Sequence, residues 1–340
     1  MSNTPLVTVL MPCYNALPYL PEALESIINQ TYTNLEILCI NDGSTDETGE
    51  VLERYAKSDS RIRVIHNAEN IRLIKTLNKG IDIATGEYIA RMDADDIALP
   101  QRIEKQLRYL ETHKHTAIIS SGFMRITEAG RELKSSIPIC LSGVACAFAS
   151  FFITPLSHPT VFCRSQFLQE NKYATIEIAH HSEDFELWTR LIRKTVRISN
   201  IPDVLQKNRI NSKSVSHTFE SIQIENFISL VQEHHSAMGI MPVERKVAKI
   251  VGLRADQTVS PGDLKEALWV LKQLGRKYLS KAEKNEKKEI KTIEAYVFLS
   301  IILQGLKRGS FLYKLACAMQ AASKVNYFFN RQAWRFLLHR

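Results

Sequence analysis

The chain has 340 residues, 45% of them hydrophobic and 24% charged, with a formal net charge of +8. This composition excludes a disordered or fibrous chain, and the length allows one large domain or a domain of about 200 residues beside a smaller one. The six cysteines contain no CxxC pair and no Cys/His quartet with zinc-ligand spacing, which favours a reduced, cytoplasmic protein. The chain opens directly into a strand pattern, "MSNTPLVTVLMP", without the features of a secretory signal.

The first hundred residues alternate between strand and helix patterns. Buried strands are predicted at 6–11, 35–40, 62–66 and 87–92. The helices that follow them carry apolar stripes at Leu20, Leu24, Ile27 and Ile28, at Ile74, Leu77, Ile81 and Ala84, and at Ile103, Leu107 and Leu110. Near-continuous apolar strands that alternate with helices indicate the α/β class, with an open and mostly parallel sheet flanked by helices.

Local signals set the expected boundaries of three of these helices. Ser44 and Glu47 have the spacing of a capping box, which predicts a helix from there to about Ala56. Gly86 stands where a helix stop is expected, and Pro100 stands where the first residue of the next helix is expected.

Residues 135–163 carry no formal charge, so a transmembrane helix must be weighed against a buried one. The run is interrupted by prolines, serines and a glycine, which favours a buried helix at 141–153 that leads into a loop. "SEDFELWTRLIR" then begins a further helix with Leu187, Leu191 and Ile192 facing inward.

From about residue 220 onward only helical patterns occur, and the charge balance changes there. Residues 221–340 hold 20 basic and 10 acidic side chains, whereas the first 220 residues have a net charge of −2. This asymmetry predicts an α/β part at 1–220, with halves of about 1–100 and 101–220, followed by a basic helical region at 221–340. Within that region, Ser260 and Asp263 are expected to open a helix.

The stretch "RMDADDIALP" places Asp93, Asp95 and Asp96 directly after the fourth predicted strand. Carboxylates this close repel one another unless a cation lies between them. They are either acids that favour the start of a following helix, or ligands that share Mg²⁺ or Mn²⁺ with phosphate oxygens. An EF-hand is excluded because Ile97 and Ala98 stand where an oxygen ligand and a glycine are required, and no glycine-rich phosphate loop is present.

The stretch "INDGSTD" follows the second predicted strand. A turn followed by a capped helix explains Gly43 and Ser44 but not Asp42. Ligands of open α/β sheets bind beyond the carboxyl ends of the strands, so Asp42 and the acidic DxDD segment are expected at one edge. At this edge Asp42 can accept a hydrogen bond from the N–H of a pyrimidine base.

Four stretches, "VTVLMPCYN", "INDGSTDETGEVL", "NKGIDIATGEYIARMDADD" and "SEDFELWTRL", together resemble the family 2 inverting glycosyltransferases of the GT-A fold. The chain is most similar to bacterial members that build lipopolysaccharide, capsule or exopolysaccharide of the cell envelope, over about residues 6–215. The resemblance implies a GT-A catalytic domain, a nucleotide-diphosphate sugar donor that is UDP-linked, and Mn²⁺ or Mg²⁺ as cofactor.

The donor-binding residues that this resemblance implies are Pro12, Tyr14, Asn15, Asp42, Arg91, Asp93, Ala94 and Asp95. Asp42 corresponds to the base-reading aspartate of the family, and Asp95 with Asp93 corresponds to the DxD pair that holds the metal. Arg91 and Lys79 lie in segments near the donor, with solvated cations as the alternative. Asp96 is expected to contact the sugar or to support its neighbours.

The stretch "HSEDFELW" resembles the ED motif of the family, which makes Asp184 the candidate base and Glu183 its support. The alternative is that both are first-turn acids favoured by the helix dipole, a location that also favours the ionised form a base requires. "PLSHPTVFCR" resembles the His-Pro stretch of many members, where His158 contacts diphosphate or acceptor, or is structural. Trp188 is a further candidate for an acceptor contact.

Two other functions are weighed against glycosyl transfer. A sugar nucleotidyltransferase requires a glycine-rich, basic loop after the first strand, and "PCYNALPYLPEAL" is neither. An inactive protein that binds a sugar nucleotide is expected to lack a metal or base carboxylate, yet Asp93, Asp95 and Asp184 are all present.

The expected partners are a nucleotide-sugar donor and a glycan or lipid-linked acceptor. No acidic residue follows Glu294, and residues 307–340 place aromatic side chains among basic ones. This pattern fits peripheral contact with the cytoplasmic face of the inner membrane or a protein partner, whereas 221–290 fits a helical subdomain with solvated lysines. No nucleic-acid module accompanies the charge, so nucleic acid is not expected as a partner.

Overall fold

A computed structural model describes residues 4–210, 219–240, 243–252 and 259–308 of the chain. These residues form two compact units. The first unit comprises the described residues among 1–137, 156–176 and 200–214, and the second those among 138–155, 177–199 and 215–340.

The strands form a nine-stranded sheet in the order β3-β2-β1-β4-β8-β6-β9-β5, with β7 paired to β6. The strands are β1 (Val7–Cys13), β2 (Leu35–Asn41), β3 (Ile62–His66), β4 (Tyr88–Arg91), β5 (Ile97–Ala98), β6 (Thr116–Ile126), β7 (Glu132–Ser136), β8 (Phe162–Arg164) and β9 (Arg197–Arg209). Strands β3, β2, β1 and β4 are parallel, whereas β8 pairs antiparallel with both β4 and β6.

The helices in chain order are α1 (Leu20–Ile28), α2 (Thr48–Ser58), α3 (Leu73–Ile83), α4 (Arg102–Thr112), α5 (Gly143–Ala149), α6 (Ser165–Glu170), α7 (Glu183–Arg193), α8 (Glu220–Ala237), α9 (Arg245–Val251), α10 (Pro261–Leu279) and α11 (Lys284–Arg308). Helices α1–α4 and α6 belong to the first unit, and the others belong to the second.

The core of the first unit explains why its parallel strands are apolar at nearly every position. Side chains of α1, α2 and α4 pack with Val7, Val9 and Met11 of β1 in one cluster. Leu10 points to the other face, where Gly80 of α3 comes so close that an added Cβ would lie 2.2 Å from it. Both faces of the sheet are therefore covered, and the predicted α/β class is confirmed.

The predicted capping box at Ser44 and Glu47 is wrong. Helix α2 begins only at Thr48, and the side chain of Glu47 makes no cap hydrogen bond. The Ser44 hydroxyl instead accepts a hydrogen bond from the backbone N–H of Asn15, at 3.0 Å. Ser44 thus joins the loop after β1 to the loop after β2 and is not available as a helix cap.

The roles predicted for Gly86 and Pro100 are also wrong. Helix α3 ends before Gly86, and a Cβ on this glycine would lie 2.5 Å from the backbone N of Thr8. Gly86 is therefore required by the close approach of its backbone to β1 and does not end the helix. Pro100 precedes α4, which begins at Arg102, and its carbonyl accepts a hydrogen bond from Thr31 N–H.

In the second unit, the uncharged stretch forms the short buried helix α5, capped by the Ser142 hydroxyl, as the sequence favoured. The Glu289 carboxylate of α11 accepts hydrogen bonds from the backbone N–H groups of Leu141 and Ser142. The helix start predicted at Ser260 and Asp263 is confirmed, and in the structure these two residues form a capping box at the start of α10. No helix within the described ranges combines the length and the apolarity needed to cross a membrane.

Candidate functional site

Two of the predicted acidic positions lie at the carboxyl end of β1 in the first unit. The backbone N–H of Asp42 donates to the carbonyl of Cys13, at 2.8 Å, just after β2 ends. On the other side of β1, Arg91 pairs with Leu10, so Asp93 follows β4 at the same edge. Asp93 is close enough for its charge to help raise the pKa of the Cys13 thiol, after hydrogen bonding to Cys39 and burial. The two acids therefore flank one strand end.

The carboxylate of Asp42 is buried and held in one orientation. Its Oδ1 accepts hydrogen bonds from the Asn67 side chain at 2.7 Å and from the backbone N–H of Ile71 at 3.0 Å. The ammonium of Lys79 donates to Oδ1 of Asn67, at 2.5 Å. Lys79 therefore supports Asp42 through Asn67, and Oδ2 of Asp42 forms no hydrogen bond to any residue in the described ranges.

Gly43 is required by the turn that follows Asp42. Its φ is +67°, and an added Cβ would lie 2.5 Å from the backbone carbon of Glu69 and 2.6 Å from the backbone N of Asn70. A side chain here would be strained by the left-handed conformation and would displace the 69–70 backbone. Ile71, whose backbone N–H binds Asp42, follows residues 69–70 directly in the chain. The close packing at Gly43 therefore helps to position this hydrogen-bond donor of Asp42.

The predicted first donor-binding loop, which follows β1, is fastened to the loop after β2. Oδ1 of Asn15 accepts a hydrogen bond from the backbone N–H of Thr45, at 2.8 Å, and Asn15 itself has a φ of +46°. Tyr14 is 49% exposed, so its ring is available to a ligand, and Pro12 lies half-buried within β1. Asn15 is thereby placed as a structural residue of the loop.

Asp93 forms a two-point ion pair with the buried Arg91. The guanidinium donates from Nη1 to Oδ2 at 2.7 Å and from Nη2 to Oδ1 at 2.5 Å. Burial alone would lower the pKa of Arg91, but the Asp93 carboxylate leads a set of neighbours that raise it overall. The positive charge that offsets the Asp93 carboxylate is thus supplied by a side chain of the protein, Arg91.

Asp95 is half-buried and lacks a comparable cation. Burial and the charge of Asp93 raise its pKa to about 6. Ala94, between the two acids, is buried. A cation that binds beside such a carboxylate would stabilise its ionised form.

Asp96 is 3% exposed and is bound on both oxygens by β9. Oδ2 accepts a hydrogen bond from the Gln206 side chain at 2.7 Å, and Oδ1 accepts one from the backbone N–H of Arg209 at 2.9 Å. Burial and the charges of Asp93 and Asp95 raise its pKa well above the ordinary value. These bonds give Asp96 a supporting role, which is one of the two roles expected for it.

Arg209, the last residue of β9, is a buried cation that hydrogen-bonds to the backbone of the DxDD segment. Its side chain is 2% exposed, and its Nε donates to the backbone carbonyl of Asp95, at 2.9 Å. The remaining nitrogens donate to the carbonyls of Thr127 and Glu128 and to the carboxylate of Glu22. This arrangement fixes the backbone from which the Asp95 carboxylate projects.

A second buried cation, Arg102 at the start of α4, lies behind the same segment. It donates to the backbone carbonyls of Arg91 at 2.5 Å and Pro159 at 3.3 Å, and to the side chain of Gln206. Burial lowers the pKa of Arg102 to about 9, which leaves it protonated at neutral pH. Arg102 connects β4, the 158–160 turn and β9.

His158 is 9% exposed and lies in the interior of the first unit. The distance between its Nε2 and the Tyr173 hydroxyl is 2.8 Å, and the Tyr173 backbone is held by Asn78. Burial, followed by the charge of Arg91, lowers the pKa of His158 well below its ordinary value. His158 is therefore neutral, and its placement is that of the structural alternative.

The ED motif lies in the second unit, where α7 begins at Glu183. Asp184 is half-buried in the first turn, and its Oδ1 accepts a hydrogen bond from the backbone N–H of Phe185 at 2.7 Å. The amino end of the helix favours the ionised carboxylate, as both interpretations of this motif require. Trp188, on the same helix, is fully buried, so its burial lends no support to an acceptor contact.

The described residues bring no three His, Cys, Asp or Glu side chains together in a group that could hold a metal ion. The described residues therefore do not form a complete metal site from protein ligands alone. The donor set nevertheless fits Mg²⁺ or Mn²⁺, because Asp95 and Asp93 supply hard carboxylate oxygens. A cation would also stabilise the ionised form of Asp95, which burial and the charge of Asp93 disfavour. Phosphate oxygens of a ligand would have to complete the coordination.

Sequence reasoning missed the residues that support this edge, namely Asn67, Arg102, Tyr173, Gln206 and Arg209. Each is a polar side chain whose partner is distant in the chain.

The comparisons with known proteins agree with this architecture. Residues 8–162 match the model of Glycosyl transferase family 2. An uncharacterized glycosyltransferase of Haemophilus influenzae is 36% identical over 243 residues, which are 69% of this chain and 74% of that protein. The amylovoran biosynthesis glycosyltransferase AmsE of Erwinia amylovora is 30% identical, over 62% of this chain and 79% of that one. The chain belongs to glycosyl transferase family 2 and is a transferase.

Solved structures of low identity share its fold. S. aureus TarS 1–349 in complex with UDP-GlcNAc has a TM-score of 0.56 at 17% identity and covers 97% of this chain and 91% of that one. Mannosyltransferase PcManGT from Pyrobaculum calidifontis in complex with GDP-Man and Mn²⁺ has a TM-score of 0.54 at 18% identity, with 99% and 86% covered. The predicted GT-A fold is confirmed.

Proposed function

We propose that this protein is a metal-dependent, inverting glycosyltransferase that uses a UDP-linked sugar and a hydroxyl acceptor. The observation that carries the proposal is the fixed Asp42 carboxylate beside β1, with the DxD acids across the same strand end. A carboxylate with one committed oxygen and one remaining oxygen suits the N–H of a uracil base. The neighbouring acids suit a diphosphate only if a divalent cation accompanies it.

Asp95, with Asp93, would hold the cation, which supplies Lewis-acid stabilisation of charge on the leaving diphosphate. Arg91 fixes the Asp93 carboxylate, and Arg209 fixes the backbone of Asp95, which limits the reorganisation needed when the donor binds. The exposed ring of Tyr14 adds a surface against which the nucleotide can pack.

Asp184 is the proposed base of the transfer step, and Glu183 is its proposed support. The acceptor hydroxyl oxygen forms a bond to the anomeric carbon while the bond between that carbon and the diphosphate oxygen breaks. The hydroxyl proton moves to the Asp184 carboxylate, and the diphosphate leaves with the bonding electron pair. Attack from the face opposite the leaving group inverts the anomeric configuration.

The acceptor is proposed to be a glycan or a lipid-linked glycan in the synthesis of a cell-surface polysaccharide. Support comes from AmsE, whose name places it in amylovoran biosynthesis. The two nucleotide sugars named in the neighbouring structures, UDP-GlcNAc and GDP-Man, differ in base, so the preference for uracil rests on Asp42.

The test is a donor screen that measures release of UDP or GDP from UDP-glucose, UDP-galactose, UDP-GlcNAc and GDP-mannose, with Mn²⁺ or with EDTA. We expect release from a UDP-sugar that EDTA abolishes. Asp184→Asn should slow the chemical step by about 10²–10⁴-fold, the usual contribution of a positioned base, with little change in donor affinity.

The matched control for Asp184→Asn is Asp203→Asn, which removes a surface carboxylate paired with Lys105. It should leave turnover unchanged. Full turnover in Asp184→Asn would show that another group takes the proton, and release that is indifferent to EDTA would reject metal dependence. Pyrophosphate release from UTP and a sugar phosphate would indicate a nucleotidyltransferase instead.

A further inference from the structure

One side of helix α10 in the second unit presents basic side chains around an exposed tryptophan. Trp269 is 45% exposed, and Lys265, Lys272 and Arg276 are exposed as well. At 3.6 residues per turn these four positions fall within an arc of about 60° on the helix surface. We name this set the α10 stripe; it extends over about 16 Å of helix at 1.5 Å per residue.

Within the part of the chain that the structure describes, no acidic side chain neutralises the cations of the α10 stripe. Lys265, Lys272 and Arg276 form no ion pair with any residue that the structure describes. The acids of α10 lie elsewhere, since Asp263 is committed to the capping box and Glu266 lies about 100° around the helix from Lys265. The α10 stripe is therefore a positively charged surface that no acid within the described ranges pairs with.

Apolar surface accompanies this charge. Leu268 and Leu279 are half-buried along the border of the α10 stripe, and Leu268 precedes Trp269 directly in the chain. Most of the other leucines of α10 are buried in the core of the unit, so the helix does not depend on Trp269 for its packing. An indole ring in this setting combines an apolar body with an N–H that prefers a polar environment.

We propose that the α10 stripe binds the surface of an anionic lipid bilayer. Lysine and arginine are attracted to anionic headgroups, and tryptophan is favoured at the level where headgroups meet acyl chains. Contact along the side of a helix requires no spanning segment. The proposal concerns residues of α10 and is independent of the glycosyl transfer proposed above.

Two other occupants fit the α10 stripe less well. A symmetric contact with a second copy of the chain would place three cations against the same three cations, which is unfavourable. Single-stranded nucleic acid binds through successive aromatic side chains, whereas the stripe holds a single ring. A lipid surface satisfies both the charge and the lone indole.

The test uses the full chain with Trp334→Phe, so that emission reports Trp269 and the buried Trp188. Vesicles of phosphatidylcholine with and without phosphatidylglycerol are titrated while co-sedimentation and tryptophan emission are measured. Binding that requires phosphatidylglycerol and shifts the emission to the blue is expected. Lys265→Gln/Lys272→Gln/Arg276→Gln should lower the partition coefficient by about 100-fold, and Trp269→Ala should abolish the emission shift.

The matched control removes three exposed cations from the first unit, as Arg54→Gln/Lys57→Gln/Lys75→Gln, and should bind nearly as well as the parent. An equal loss of vesicle binding in both triple variants would show that only the net charge of the protein matters. That result would overturn the proposal. An unshifted emission would overturn it too, as would tighter binding of the parent to a single-stranded oligonucleotide than to the vesicles. Thermal melts of each variant establish that the fold is retained.

Discussion

Two buried arginines and one ion pair keep the acidic edge of the first unit in place. Arg91 neutralises Asp93 directly, whereas Arg209 and Arg102 act mainly on backbone carbonyls of the same segment. A buried guanidinium that satisfies several carbonyls is costly to remove, because several acceptors lose their donor together. The carboxylates proposed to bind the ligand are thus held in place by arginines that are not proposed to contact it.

Replacing Arg209 by alanine should lower the free energy of unfolding by about 3 kcal/mol, since the backbone carbonyls of Asp95, Thr127 and Glu128 lose their guanidinium donor. Urea unfolding of the purified chain measures the change. The control is Arg108→Ala, whose side chain is 72% exposed and paired with Glu104 on the same helix. It should cost less than about 0.5 kcal/mol, and equal costs would contradict the role given to Arg209.

Asp42→Asn should weaken UDP binding by about tenfold or more while the fold is retained. The amide oxygen can still accept the hydrogen bonds of Asn67 and Ile71, but the amide N–H₂ then opposes the N–H of uracil. Calorimetric titration with UDP measures the effect. Asp82→Asn, a change of equal charge at a half-exposed ion pair with Lys172, is the control. Unaltered affinity in Asp42→Asn would refute base reading by this residue.

At the level of secondary structure, the elements with a local signal were predictable. The four parallel strands were placed within two residues of their observed ends, because a strand covered on both faces is apolar throughout. The amphipathic stripes of α1, α3 and α4 were likewise buried as predicted, except at Ile28 and Ala84, which are half-buried near the ends of their helices. The start of α10 at Ser260 and Asp263 was predictable because its signal is complete within four residues.

The antiparallel part of the sheet was not predicted. Strand β9 mixes polar and apolar residues over 13 positions, and its partners lie far away in the chain, as with Ile97 opposite Lys207. A pattern of this kind becomes a strand only through tertiary pairing, which single-sequence periodicity does not contain. The supporting contacts of Arg209 and Gln206 were missed for the same reason.

Helix α8 contributes two adjacent buried histidines to the second unit. His234 Nε2 lies 3.0 Å from the Ser150 hydroxyl, and the rings of His234 and His235 lie 4.4 and 5.0 Å from that of Phe151. Burial lowers the pKa of His234 to about 3 and that of His235 to about 4. Both are therefore neutral in the folded unit at pH values where an unfolded chain would protonate them.

The two histidines should make the free energy of unfolding fall as the pH drops from about 6.5 toward 4, because at these positions the unfolded chain binds protons and the folded chain does not. The raised pKa values of Asp95 and Asp96 act in the opposite direction, so the contribution of the histidines is the difference between the parent and the double histidine variant. Each histidine contributes a slope of up to about 1.4 kcal/mol per pH unit. Urea unfolding from pH 7.5 to 4.5 measures this. His234→Gln/His235→Gln should flatten the curve, whereas His115→Gln, at an exposed position, should not. Equal slopes in all three proteins would contradict the assignment.

At the scale of the whole molecule, the described chain consists of one unit built on the sheet and one built mainly on helices. The donor-side carboxylates Asp42, Asp93 and Asp95 belong to the first, and the ED motif belongs to the second. The predicted boundary near residue 220 and the roles of the site residues stay predictions. The basic aromatic stretch predicted at 307–340 lies almost entirely outside the described residues.

A ligand confined to the first unit should stabilise that unit selectively. UDP with Mn²⁺ at about 100 times its dissociation constant should add about 2.7 kcal/mol to the free energy of unfolding. Thermal melts with UDP alone, with Mn²⁺ alone and with both measure the increment. Asp95→Ala should remove the part that requires Mn²⁺, whereas Asp203→Asn should retain it. A full Mn²⁺ increment in Asp95→Ala would show that the ion binds elsewhere.

Strand β9 has a consequence for the order in which the molecule can assemble. Asp96 and Arg209 are 113 positions apart in the chain, and Glu22 and Arg209 are 187 apart. The first four strands can pair while the chain is still short, but these contacts close large loops and must come late. A growing chain would therefore complete its parallel sheet well before its acidic edge acquires its final geometry. Ligand binding would be among the last properties to appear during synthesis.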